Sequence, residues 1–175
     1  MKVATWDIEA SHLKANFGVL LCACVKPLGR PAIVLRNGRK GSNDKALLVA
    51  LRDVLEKFDM LIGHYSLGFD LKFLNSRLMH YGERPLSEKY HLDMLSVARR
   101  WSCTHSRKQE AIGDFLGVGG KTKLDPEVWR SAAYDGDKKA LDEIVRHCIG
   151  DVEQCEGIYM KPYMQQFCGR SIVKK

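Results

Sequence analysis

The chain has 175 residues, 45% of them hydrophobic, which suits one well-packed domain and is too short for two. No run approaches the roughly 18 to 20 apolar residues of a membrane span, and Met1 leads directly into a predicted strand, so we expect no membrane association and a cytoplasmic location. The net charge of +7 favours a polyanionic partner, of which nucleic acid is the commonest.

The first predicted element is a strand over residues 2–9 that carries two acids, Asp7 and Glu9. Alternate side chains of a strand share a face, so these carboxylates point the same way. Two such neighbours repel each other unless a cation lies between them or one is protonated. A hard divalent cation would meet this need. Chance also supplies Asp-x-Glu triplets, at Asp125 and Asp151, but only the first ends a buried strand.

The remaining chain predicts an α/β domain. Two β-rich runs, 17–25 and 31–36, form an antiparallel meander with the first strand. Periodicity then predicts short strands at 60–62 and 90–92, and helices at about 44–58, 68–79, 94–101, 109–116, 126–134 and 138–159. Asn43 or Asp44 is expected to cap the first helix, and Trp129 is expected in the core. We therefore predict a mixed sheet with helices on both faces and the first strand in a central position. Residues 1–165 are assigned to a single domain and 166–175 to a tail that we expect to be partly disordered.

A further acid, Asp70, ends the segment Gly63-His-Tyr-Ser-Leu-Gly-Phe-Asp70. This segment follows a buried strand and opens a helix, which is where open α/β sheets place their ligands. The alternative is an acid that merely complements the helix dipole.

The long last helix places His147 and Asp151 four residues apart on the flank of an apolar stripe. Residues with this spacing share a helix face and can act on one site. A surface pair worth a few tenths of a kcal/mol is the alternative.

These three segments, in this order and with these separations, resemble the exonuclease motifs of the DEDD, or DnaQ-like, 3′-to-5′ exonucleases. The resemblance spans nearly the whole chain and implies a ribonuclease H-like fold with a mixed sheet of about five strands. It also implies that Asp7, Glu9, Asp70 and Asp151 hold two Mg²⁺ or Mn²⁺ ions, which suits the preference of these metals for carboxylate oxygen. By the same resemblance His147 would be the general base that takes a proton from the attacking water.

Two positions depart from the family pattern. The histidine class usually places its histidine five residues before the last aspartate, whereas the four-residue spacing seen here usually carries tyrosine. Tyr65 stands where related motifs often have asparagine, so Tyr65 and the preceding His64 are candidate contacts to the terminal nucleotide. For His64, packing beneath the site is the favoured alternative.

Basic residues recur in three clusters. A single cluster of this kind is typical of a solvated face, but the loops nearest the proposed site would contact phosphates, with binding that weakens as salt rises. The clusters are Lys26, Arg30, Arg36, Arg39 and Lys40, then Arg99, Arg100, Arg107 and Lys108, then Lys121 and Lys123. We assign Lys121 and Lys123 to substrate binding.

The sequence thus predicts a 3′-to-5′ exonuclease that releases nucleoside 5′-monophosphates from single-stranded ends, with DNA favoured over RNA. A polymerase or helicase partner stays open. Two alternatives also stay open: a structure-specific endonuclease on the same fold, and a nucleic-acid-binding or polymerase-associated module without turnover.

Overall fold

Six strands form one mixed sheet in the computed structural model, which describes residues 1–37, 43–119 and 124–175. The strands are β1 (Val3–Ala10), β2 (Leu20–Pro27), β3 (Ile33–Arg36), β4 (Met60–Gly63), β5 (Tyr90–Asp93) and β6 (Ile172–Lys174). Their spatial order is β3-β2-β1-β4-β5-β6, so β1 is central as predicted.

The strand directions bring the acidic segments to one edge of the sheet. β1 pairs antiparallel with β2, opposing Asp7 to Cys24, and parallel with β4. β4 in turn pairs parallel with β5, opposing Gly63 to Asp93. Because parallel strands end at the same edge, the carboxyl ends of β1, β4 and β5 lie together.

Seven α-helices lie along the described chain. They are α1 (Lys45–Leu55), α2 (Asp70–His80), α3 (Met94–Trp101), α4 (Gln109–Phe115), α5 (Pro126–Arg130), α6 (Lys138–Tyr159) and α7 (Met164–Cys168). α1 and α2 bury the face of the sheet that carries Ala4, Trp6 and Ile8. α6 covers the opposite face, where the Thr5 hydroxyl donates to the backbone oxygen of Val152 at 3.0 Å. Helices therefore cover both faces, and Asp7 and Glu9 share the face covered by α6.

The predicted helix 126–134 is divided in two. α5 ends at Arg130 and is followed by a wider π-helical turn, Ser131–Asp135. Gly136 then adopts a positive φ of 71°, which glycine accepts without steric cost. The side chain of Asp137 starts α6 by accepting from the backbone N–H of Lys139 at 2.8 Å.

The last ten residues differ from the expected partial disorder. Ile172–Lys174 pairs antiparallel with β5, and Lys175 exchanges two backbone hydrogen bonds with Lys89. This pairing covers an edge of β5 that would otherwise expose backbone donors and acceptors beside buried side chains. The strand has three residues, too few for an alternating pattern to reveal it. It raises the strand number from the expected five to six.

Of the two residues predicted to cap α1, Asn43 supplies the hydrogen bond. Asn43 accepts from the backbone N–H of Lys45 at 3.2 Å, whereas Asp44 makes no cap hydrogen bond. Asp44 instead forms a buried ion pair with Arg77 of α2. In the described part of the chain, no helix has the length and apolar character needed to cross a membrane.

Candidate active site

Three of the predicted site residues converge where the carboxyl end of β1 meets α6. Nε2 of His147 lies 3.8 Å from Oε1 of Glu9 and 3.6 Å from Oδ2 of Asp151. The ligand atoms of these three side chains all lie within 4.8 Å of one another, and no other described group of three His, Cys, Asp or Glu does so. Gln109 of α4 steadies this turn of α6 by donating to the backbone oxygen of Asp151 at 2.8 Å.

Asp70, the first residue of α2, reaches the same strand from the other side. Its Oδ1 accepts from the backbone N–H of Ile8 at 3.1 Å, and the residue is only 3% exposed. Burial raises the pKa of the Asp70 carboxyl to about 7; the backbone N–H groups of Asp70 and Ile8 lower it, while the carboxylates of Asp93 and Asp151 raise it. Asp70 therefore lies near two other carboxylates, and a bound cation would reduce the repulsion among them.

Asp7 is half-buried beside α6. Its Oδ2 lies 3.6 Å from Sγ of Cys148, and its side chain lines the same cleft as Asp151. Asp7 and Asp70 are not members of the close group formed by Glu9, His147 and Asp151. The structure therefore places all five residues at one edge of the sheet, with three of them in the tightest contact.

Trp129 of α5 is a site residue that the sequence did not indicate. It is half-buried and packs against the core, and its indole N–H donates to Oε2 of Glu9 at 3.1 Å. Its ring also meets the His147 ring edge-on, with centroids 5.9 Å apart and planes at 86°. Trp129 lies 120 residues from Glu9 in the chain, so no local pattern could reveal this contact.

A cleft of about 610 Å³ opens beside the acids, a volume typical of small-molecule and nucleotide sites. The described residues lining it are Asp7, His64, Tyr65, Leu95, Ser106, Arg107, Lys108, Gln109, Glu110 and Asp151. Two of the predicted substrate contacts, His64 and Tyr65, thus lie on the cleft. The other two, Lys121 and Lys123, lie outside the described residues.

Tyr65 is held in an unusual backbone conformation with a φ of 64°. Its N–H donates to Oδ1 of Asp93 at 2.9 Å, and its ring covers Gly68, where a Cβ atom would approach the ring to 2.1 Å. The residue is 52% exposed. An exposed aromatic ring at the edge of a cleft is suited to stacking on a base.

Asp93 caps one helix and also holds a neighbouring loop. It accepts from the N–H of Leu95 at 3.0 Å, which caps α3, and also from the N–H groups of Tyr65 and Leu67. Asp93 therefore fixes the loop that carries His64 and Tyr65 to the end of β5.

The predicted basic clusters separate by location. Lys26 pairs with Glu156, and Arg36 pairs with Asp142 at 2.7 Å, so these two cations have partners within the chain. Two further members of this cluster, Arg39 and Lys40, lie outside the described residues. Arg107 and Lys108, by contrast, are exposed and line the acidic cleft.

Comparison with known proteins agrees with this architecture. The family model described as RNase_H superfamily matches residues 5–163, a range that includes every acid of the site. The chain belongs to the RNase_H superfamily. The ribonuclease H-like fold predicted from the sequence is thereby confirmed, with six strands in place of about five.

A solved structure similar to this RNase_H chain is that of the family B DNA polymerase from the hyperthermophilic archaeon Pyrobaculum calidifontis. The two superpose with a TM-score of 0.76 at 16% identity, over 92% of this chain and 24% of the polymerase. At this identity the likeness concerns the fold alone, and this chain spans about a quarter of the polymerase. No curated protein matches the sequence.

Proposed function

We propose that this RNase_H protein is a metal-dependent 3′-to-5′ exonuclease that hydrolyses phosphodiester bonds at single-stranded 3′ ends and releases nucleoside 5′-monophosphates. The observation that carries the proposal is the group formed by Glu9, His147 and Asp151, whose ligand atoms lie within 4.8 Å of one another. The fold supports nuclease chemistry, and the polarity follows from the resemblance to the DEDD exonuclease motifs.

The donor set fits two divalent cations. Carboxylate oxygens from Asp7, Glu9, Asp70 and Asp151 would hold them, and Mg²⁺ and Mn²⁺ both prefer such ligands. The raised pKa of Asp70 supports the same assignment, because the carboxylates of Asp93 and Asp151 act on this buried carboxyl and a bound cation would offset their charge. When bound, paired divalent cations stabilise the attacking and leaving oxygens of a phosphodiester displacement.

The remaining residues of the cleft would place the substrate. Arg107 and Lys108 supply positive charge for the phosphates at the cleft wall. Tyr65 offers its exposed ring to a base, and stacking on aromatic rings is how proteins that bind single strands hold unpaired bases. Single-stranded ends are therefore the proposed substrate. The likeness to a DNA polymerase favours DNA over RNA and makes a polymerase the first partner to test.

The test uses end-labelled single- and double-stranded DNA and RNA with Mg²⁺ or Mn²⁺, and reads polarity and product length. We expect mononucleotides to appear from the 3′ end of single-stranded DNA, and Asp7→Ala to abolish their release while leaving the fold intact. Metal-dependent cleavage that persists in Asp7→Ala would overturn the proposal. Cutting of a covalently closed circle would show the endonuclease alternative, and tight binding without cleavage would show the binding-module alternative.

A further inference from the structure

His147 stands between two carboxylates of the candidate active site. We propose that His147 is a metal ligand rather than the general base, and that Glu9, His147 and Asp151 together bind a transition-metal cation of the Mn²⁺ class. This inference rests on the proposed function, since it concerns the metal of the same site.

The first support is the separation of the donor atoms. Nε2 of His147 lies 3.8 Å from Glu9 and 3.6 Å from Asp151, and it is the same nitrogen that faces both carboxylates. Neighbouring ligands bound at about 2.1 to 2.2 Å around one octahedral ion, the geometry typical of Mn²⁺, are about 3.0 Å apart. Both observed distances exceed this value by less than about 1 Å. Small side-chain movements would therefore place all three donors on one ion.

The second support is the spacing along α6. Residues four apart on an α-helix differ by about 40° in direction, whereas residues five apart differ by about 140°. His147, at four residues before Asp151, consequently shares the direction of that carboxylate. Two ligands at i and i+4 are also the arrangement by which zinc-protease helices hold their metal. The four-residue spacing is thus suited to shared coordination, and a histidine at five residues would lie on another face.

The third support is the location of the imidazole relative to the cleft. His147 is 7% exposed, and it is not among the described residues that line the cleft where substrate and water would enter. A general base must reach the proton that it removes. A buried nitrogen directed at two carboxylates is better placed to bind a cation between them.

Trp129 acts in this arrangement as a positioning residue. Its indole N–H holds Oε2 of Glu9, and the other oxygen of that carboxylate faces His147. Outer contacts of this kind orient metal ligands and commonly change metal affinity by about 10- to 100-fold when removed. One imidazole nitrogen with two carboxylates favours a transition metal, because Mg²⁺ prefers oxygen donors alone.

The deciding measurement is pulsed electron paramagnetic resonance of the full chain with one equivalent of Mn²⁺. We expect nitrogen modulation from a directly bound imidazole, which changes character when the protein is made with ¹⁵N-labelled histidine. The isotope experiment needs no substitution and so does not depend on a variant that folds. Modulation that is absent in the wild-type protein with Mn²⁺ bound would overturn the proposal.

Variants then assign the nitrogen. His147→Gln should lose the modulation and bind Mn²⁺ about tenfold or more weakly, while Mg²⁺ affinity changes by less than about threefold. Trp129→Phe should keep the modulation but bind Mn²⁺ about tenfold more weakly. His80→Gln is the matched control, because His80 is exposed at the end of α2 and meets the Tyr81 ring edge-on. It should keep both the modulation and the affinity, and modulation that survives in His147→Gln would contradict the assignment.

The result is separable from the proposed function. If the nitrogen is bound and no nucleic acid is cleaved, the ligand assignment stands and the exonuclease proposal fails. If Mg²⁺-dependent cleavage occurs and Mn²⁺ shows no bound nitrogen, the exonuclease proposal stands and His147 is not a ligand.

Discussion

Two buried aspartates of this protein have opposite surroundings. The Asp44 side chain is fully buried and accepts from Arg77 Nη2 at 2.5 Å, from the Leu20 N–H at 2.7 Å and from the Tyr81 hydroxyl at 3.0 Å. Asp70 accepts from the N–H of Ile8, and the neighbouring charges that shift its pKa are carboxylates. The chain thus supplies a cation for the first acid, and under the proposed function a divalent cation from solution would serve the second. Both acids are buried, so the sign of the neighbouring charge is what distinguishes their surroundings.

The largest expected effect follows from neutralising the second acid. Asp70→Asn should lower nuclease activity by about a thousandfold or more, since a ligand of the proposed cations is lost. Stability should not fall, because the amide oxygen can still accept from the N–H of Ile8 and the repulsion is removed. End-labelled single-stranded DNA measures the activity, and urea unfolding measures the stability.

The pH dependence of the metal-free protein sharpens this expectation. Because the pKa of Asp70 is raised to about 7, the native state holds its proton over a range in which the unfolded state has lost it. The wild-type protein should therefore lose stability as pH rises from about 4 to 7, and Asp70→Asn should lose less. If Asp70→Asn unfolds more readily than the wild type at pH 8, the ionised Asp70 carboxylate does not destabilise the native state and the expectation is wrong.

Breaking the ion pair between Asp44 and Arg77 should instead lower stability and leave activity unchanged. Arg77→Met leaves the Asp44 charge buried without its cation and should lower the free energy of unfolding by about 3 to 5 kcal/mol. Activity per folded molecule should stay near that of the wild type, because the hydrogen bonds of the pair within the described chain go to Ala15, Leu20 and Tyr81. Urea unfolding and an assay at low temperature separate the two quantities. A large loss of activity in fully folded Arg77→Met would show that the two regions are coupled.

Much of the candidate site could be predicted from the sequence because its signals are local. Asp7 and Glu9 share a face through the two-residue period of a strand, and His147 and Asp151 share one through the helical period. Asp70 was recognisable from its position after a buried strand and at a helix start. Each of these patterns occupies fewer than about ten residues, which is the range over which backbone periodicity carries information.

The remaining features depend on contacts between distant parts of the chain. The donation from Trp129 to Glu9, the ion pair of Asp44 with Arg77, and the pairing of β6 with β5 join segments separated by 33 residues or more. Asp44 also shows how tertiary contacts override a local preference. Aspartate is a favourable capping residue, but the Asp44 carboxylate pairs with the buried Arg77 and does not cap α1. Such choices depend on the assembled fold.

Asp44 is paired with an arginine, and Asp70 is assigned to a proposed cation. His91 is a third buried titratable residue, for which neither a charged partner in the described chain nor an ion is proposed. His91 of β5 is 0% exposed, and neither ring nitrogen has a hydrogen-bond partner among the described residues. Burial lowers its pKa to about 4 from an ordinary value of 6.5. Between these values the unfolded state binds the proton and the native state does not, so stability is lost as pH falls.

Replacing this histidine should flatten the pH profile. The wild-type protein should lose about 2 kcal/mol of stability from this residue between pH 8 and pH 5, and His91→Leu should lack that loss. Urea unfolding at the two pH values gives the difference, and His80→Leu serves as a control because His80 is exposed. Equal pH dependence in the wild type and His91→Leu would mean that the His91 ring finds a partner when it is protonated.

The smallest expected effect concerns the cations at the wall of the acidic cleft. Each phosphate contact on a single strand contributes about 0.7 to the slope of log affinity against log salt, so the double variant Arg107→Gln/Lys108→Gln should lower that slope by about 1.4. Binding of labelled single-stranded DNA in the Asp70→Asn background avoids cleavage during the measurement. Arg36→Gln is the control, since Arg36 pairs with Asp142 and does not line the cleft. An unchanged slope in the double variant would place the phosphates elsewhere, because these two cations are then not in contact with the strand.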